Sequence, residues 1–183
     1  MTFFGGILLS GDSGTLYYIS YKIGAVKLDE NLAQLGTFQT FIKPTKNPIL
    51  SDFCVELTSI KQRDVDNAPY FAEALYDFER WICSDDADSI LISWGHYDKK
   101  QLLLECDAKN YNGEIVRLLD THRSLKHDYA KMRGAKPCGM EKALRILNIP
   151  LDGTHHRGID DALNIAKIFR VIFADWKKIT EIT

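Results

Sequence analysis

The chain has 183 residues, of which 45% are hydrophobic and 26% charged, and its formal net charge is −2. Those values describe one globular domain over residues 1–183, a size that buries roughly 70% of the surface exposed on unfolding. So balanced a charge excludes a global electrostatic footprint for nucleic acid, and any phosphate-binding surface has to be local or built on metal ions.

The apolar run Phe3 to Leu9 is too short to span a membrane and lacks the basic start of a secretion signal. No membrane is therefore expected, and the expected compartment is the cytoplasm. Cys54, Cys83, Cys106 and Cys138 are too far apart in sequence for a zinc knuckle or a redox pair, and are expected to be buried and reduced.

In chain order, Gly6 to Ser10 (GILLS) reads as a buried strand, followed by the turn Gly11-Asp12-Ser13-Gly14. Tyr17 to Leu28 reads as a second strand and Thr37 to Lys43 as a third, stopped by Pro44. Three strands in succession predict an antiparallel meander. Ser51-Asp52 caps a short helix through Leu57. Asn67 and Pro69 then open a longer one, in which Phe71, Leu75, Phe78 and Ile82 recur at helical spacing. Ser89 to Trp94 is a short apolar strand, a helix runs from about Asp98 to Cys106, and Ile115 to Leu119 reads as a fifth strand. Helices near 121–132, 140–147 and 159–176 close the chain. The pattern is an α/β fold with a mixed sheet flanked by helices.

Three short segments carry candidate chemistry. In His155-His156-Arg157-Gly158-Ile159-Asp160-Asp161, an imidazole and a carboxylate five residues apart sit at one end of the final helix. The plain alternative is that both acids serve only the helix N-terminus. In Trp94-Gly95-His96-Tyr97-Asp98 an aspartate follows the end of a buried strand, a common catalytic position and equally a common helix cap. Gly11-Asp12-Ser13 is also a good turn sequence.

The combination resembles the DEDDh 3′→5′ exonucleases, most closely the branch that trims histone-mRNA ends and small RNAs. The resemblance rests on the strand–acid, Trp-Gly-x-Tyr-Asp and His-x-x-x-x-Asp order. It rests also on Ile23 to Val26, on Phe38 to Pro44, and on Glu56 to Gln62 followed by Asp64 to Pro69. It implies an RNase H-like, mixed five-stranded sheet and a two-ion Mg²⁺ or Mn²⁺ site. Asp161 would be a direct ligand, Asp98 a largely water-mediated one, and His156 the general base. Tyr97 would stack on a terminal base, and Leu57, Thr58 and Lys99 would touch the strand. The implied substrate is single-stranded RNA or DNA with a free 3′ end.

The sequence departs from the family at its first motif, Asp-x-Glu. Aligning Ile7-Leu8-Leu9 with the family's first strand sets Ser10 on the aspartate and Asp12 on the glutamate. Serine brings a neutral hydroxyl where a bridging carboxylate is expected, so the implied site is reduced, to as few as one ion. Two readings follow: a weakened exonuclease in which Asp12, Asp98, Asp161 and His156 still hold at least one ion, or an inactive domain of the same fold that binds nucleic acid or a protein partner. A basic stretch (Arg123, Lys126, Lys131, Arg133 and Lys136, with His122 and His127) could line a phosphate track or be a solvated face. A zinc hydrolase using His122, His127, His155 and His156 is disfavoured, since a five-residue spacing puts the first two out of phase on a helix.

Overall fold

The structure, a computed structural model, describes residues 1–5, 20–84, 89–154 and 157–180, with Phe4 and Leu57 in backbone only. Three strands come first: β1 (Thr2–Gly5), β2 (Lys22–Leu28) and β3 (Gln34–Phe41). Three helices follow, α1 (Asp52–Thr58), α2 (Gln62–Asp66) and α3 (Phe71–Ile82). The chain then alternates through β4 (Leu91–Ser93), α4 (Tyr97–Ala108), α5 (Glu114–Asp120), β5 (Arg123–Ser124) and α6 (Leu125–Met132). It ends in α7 (Met140–Ile146) and the long α8 (Gly158–Thr180).

The sheet order is β3-β2-β1-β4-β5. The meander β1-β2-β3 is antiparallel, with Gly5 opposite Gly24 and Lys22 opposite Phe41. β4 and β5 add in parallel, with Phe3 level with Ile92 and Ile92 level with Arg123. All seven residues of β2 are buried, as a strand covered on both faces must be. Its alternate residues serve different cores. Val26 and Leu28 pack with α6, α7 and α8 on one face, while Ile23 and Ala25 pack with α3, α4 and α5 on the other. Phe3 meets Phe169 of α8 at 4.9 Å between ring centroids. Burying each such side chain contributes about 1.5–3 kcal/mol, which makes the central strands the rigid base of the molecule.

Several expectations are corrected. The segment Ile115 to Leu119 is helix α5, not a strand: Ile115 and Leu119, four apart, are its buried pair, and Glu114 and Arg117 form an ion pair one turn apart. Apolar runs of this length are ambiguous between strand and helix, and here the i, i+4 burial decides. The fifth strand is instead Arg123–Ser124, so the helix expected from 121 starts at Leu125. The first strand in the sheet is Thr2–Gly5, ahead of the Gly6 to Ser10 segment expected to form it; residues 6–19 lie outside the described residues. Cys54 and Cys106 are buried and Cys138 partly so, but Cys83 is exposed; all four are free thiols.

Candidate active site

β1 and β4 run parallel and adjacent, so their carboxyl ends lie side by side at one end of the sheet. After Ser93 the chain turns sharply. Ser93 Oγ donates to Gly95 O at 2.7 Å and lies 2.9 Å from His122 Nε2. Trp94 O accepts from Lys126 N at 2.8 Å, and Trp94 Nε1 donates to Cys138 O at 3.1 Å. These bonds fix the start of α4, which carries Tyr97, exposed at 45%, and Asp98 in its first turn.

α8 reaches the same end from the opposite face. Its start lies directly on Gly24, where a Cβ would stand 2.4 Å from Gly158 C and 2.3 Å from Ile159 N. Only glycine lets the helix descend this far. Gly24 is opposite Gly5, so the first turn of α8 stands over the end of β1. The two acids of that turn divide their roles. Asp160 is a brace: its Oδ2 accepts from Thr154 N at 2.9 Å, and it packs against Gly153, whose φ is +71°. Asn164 completes the clasp. Its Nδ2 donates to Asp152 O and Asp160 O, each at 2.8 Å, and its Oδ1 accepts from Asp152 N at 3.1 Å. Asp161, by contrast, is only 8% exposed and lies on the buried face of α8. Asp160 thus braces the loop before α8, and Asp161 is a buried acid at the sheet end.

Of the residues expected to form the site, Asp98, Tyr97, Lys99 and Asp161 thus come to one end of the sheet. Ser10, Asp12 and His156 lie outside the described residues, as does the side chain of Leu57. Thr58 is buried at 3%, and its hydroxyl is engaged at the end of α1, donating to Cys54 O at 2.7 Å and accepting from Ile60 N at 3.0 Å. Lys99 lines a cavity of about 560 Å³ along α4 together with His96, Lys100, Leu103 and Asp107.

The sequence grouped His122 and His127 with the basic stretch; the structure sets them with His96 beside this site. His96, just before α4, stacks on His127 at 4.7 Å and meets His122 edge-on at 6.0 Å. His127 Nδ1 lies 2.7 Å from Ser124 Oγ. Burial pushes the His122 imidazole down to about 4, with Lys99 and His96 adding to the effect. His96 is lowered by burial and by His127. Only β5, unforeseen as a strand, brings 122 and 127 to His96. The basic stretch does not form one continuous track: Arg123 is held by Asp128 at 3.1 Å and lies over Trp176, while Lys131, Arg133 and Lys136 are exposed.

Among the described residues no three His, Cys, Asp or Glu side chains are arranged to hold a metal ion. What they bring to the sheet end is two carboxylates, Asp98 and Asp161. Hard oxygen donors in that number fit a Mg²⁺ or Mn²⁺ ion that keeps several waters, and do not form a closed shell of protein ligands.

The exonuclease family RNase_T matches residues 20–169. ERI1 exoribonuclease 2 of Xenopus laevis is 29% identical over 158 residues, covering 75% of this chain and 23% of that protein. The probable 3′-5′ exonuclease KapD of Bacillus subtilis is 30% identical over 162 residues, covering 84% of this chain and 73% of that protein. In structure, the chain resembles the nuclease domain of 3′hExo, a DEDDh family member solved with rAMP bound. The TM-score is 0.85 at 24% identity, over 95% of this chain and 91% of that one. The RNase H-like sheet expected from the sequence is the fold the two share. The chain spans about a quarter of the length of the ERI1 exoribonuclease 2 proteins it matches.

Proposed function

The chain belongs to the RNase_T exonuclease family, and from that premise we propose that it is a 3′→5′ exonuclease that removes nucleotides one at a time from single-stranded RNA, with single-stranded DNA as second substrate. The observation that carries this reading is the shared sheet end: Tyr97 and Asp98 follow β4 there, and Asp161 opens α8 over the end of β1. Asp161 would hold a divalent ion directly and Asp98 largely through water, and an ion there would offset the charge that develops on the phosphodiester.

The chain's own groups supply the rest. Tyr97, exposed beside Asp98, stacks on the 3′-terminal base. Lys99 meets the backbone one nucleotide away. His156 takes a proton from the attacking water, a role suited to a side chain titrating near neutrality. The water oxygen bonds to phosphorus as the bond to the upstream 3′-oxygen breaks. The products are a nucleoside 5′-monophosphate and a strand shorter by one residue.

A 5′-labelled single-stranded RNA incubated with the protein and Mn²⁺ tests this. Stepwise shortening from the 3′ end, stopped by EDTA, is the expected result. A flat time course at high enzyme concentration contradicts it and leaves the second reading, a domain of this fold that binds a strand without cutting it. One observation favours that second reading: β1 carries no acid, and the first acid in the chain is Asp12, seven residues beyond Gly5.

A further inference from the structure

A buried amide near the sheet end belongs to Gln101, on the face of α4 that carries Asp98 one turn earlier. Gln101 is 1% exposed, and neither Oε1 nor Nε2 meets a hydrogen-bond partner among the described residues. Burying an amide while satisfying neither end forfeits its full hydration, and folded proteins rarely tolerate this without a guest that restores the bonds.

The path of α4 locates the amide. The helix leaves β4 at Tyr97, and two turns later Glu105 accepts from Ser20 N at 3.0 Å, two residues before β2. From Asp98 to Glu105 the helix advances about 10 Å. Two strand spacings also amount to about 10 Å, and the sheet order sets β1 between β4 and β2. Gln101 therefore stands near the end of β1, between Asp98 and Ser20. The Ser20 hydroxyl is also fully buried and meets no partner among the described residues. No acid from β1 competes for that position, because residues 1–11 contain none.

We infer that Gln101 is an ion-positioning residue, its amide taking hydrogen bonds from and giving them to the water shell of the divalent ion held at Asp98. The inference rests on the reading of Asp98 as an ion-holding carboxylate. An amide suits the task because Oε1 accepts from the hydrogens that ion-bound waters point outward, while Nε2 donates to a water beyond that shell. Groups one shell out from a metal orient its ligands, and removing them typically lowers affinity about 10- to 100-fold.

The test measures Mn²⁺ binding by calorimetry and, separately, thermal unfolding of the full chain in EDTA. Gln101→Met keeps the volume and removes both polar atoms. It is expected to weaken Mn²⁺ binding about 10-fold or more, while the ion-free protein melts at the same or a higher temperature. Gln101→Glu, which restores an oxygen facing the ion, is expected to bind Mn²⁺ at least as tightly as the parent. Unchanged Mn²⁺ affinity in Gln101→Met overturns the inference, and so does a lower melting temperature without metal, since the amide would then be satisfied within the protein. Asp98→Asn separates the two levels. If it abolishes binding while Gln101→Met has no effect, only the role of Gln101 falls; if Asp98→Asn also binds normally, the ion site itself is elsewhere.

Discussion

A Cβ on Gly24 would stand 2.3 Å from the amide nitrogen of Ile159, so the height of the last helix above the sheet is set by a hydrogen atom in β2. The contact involves backbone on both sides and cannot be relieved by rotating a side chain. Asp161 lies two residues beyond Ile159, and its depth over the end of β1 depends on this approach. Gly24→Ala is therefore expected to destabilise the fold by about 1–3 kcal/mol, as overpacking does. It should also weaken Mn²⁺ binding, because the helix start is pushed outward. Denaturant unfolding and calorimetry on the same variant check both effects; a loss of stability with unchanged ion affinity would detach Asp161 from the site.

The adjacent acids Asp160 and Asp161 are expected to behave differently. Asp160→Asn weakens the acceptor that holds Thr154 N at 2.9 Å. It should cost about 1 kcal/mol of stability and leave strand shortening largely intact. Asp161→Asn should abolish shortening and leave a folded protein, since the isosteric amide still fills the buried position. Activity assays and melting curves on the pair distinguish a brace from a ligand.

Tyr97 is exposed at 45% beside Asp98. If it stacks on the terminal base, Tyr97→Ala should weaken single-strand binding by about 1–3 kcal/mol, and Tyr97→Trp should retain or strengthen it. Fluorescence anisotropy with a labelled oligonucleotide in Ca²⁺ measures this without turnover.

The pH dependence follows from His122. Its folded-state value, pushed down to about 4 by burial, lies below the ordinary 6.5 it recovers on unfolding. The unfolded chain therefore binds the extra proton first. Stability is whole above about 6.5 and falls as pH drops towards about 4, by about 3 kcal/mol from this group. His96, lowered in the same direction, adds to the loss. His122→Gln should flatten the decline, as seen by comparing unfolding free energies of the two proteins at pH 7 and pH 4.5.

How far the sequence revealed this arrangement varied by element. The helical spacing of Phe71, Leu75, Phe78 and Ile82 gave α3, and all four are buried. The strand-then-aspartate pattern at Ser93–Asp98 identified the turn into α4 because a buried strand, a glycine and a helix start leave little choice of path. The fifth strand was misplaced for a physical reason. β5 is two residues long and is defined by pairing with β4, a long-range relation that no local pattern records, whereas the apolar run at 115–119 looked like a strand and is helix. The bracing contact of Asp160 was also invisible, since it depends on Gly153 and Thr154 folding back onto that carboxylate. Gln101 gave no signal at all: an isolated glutamine in a helix is ordinary until its burial is known.

Asp98 and Asp161 are predicted to share one divalent ion. Crystals soaked in Mn²⁺ and measured at the manganese edge decide it. The predicted result is an anomalous peak at the carboxyl ends of β1 and β4, within ligand or water-bridged distance of both carboxylates. No peak at saturating Mn²⁺, or a peak that neither aspartate approaches, would contradict it.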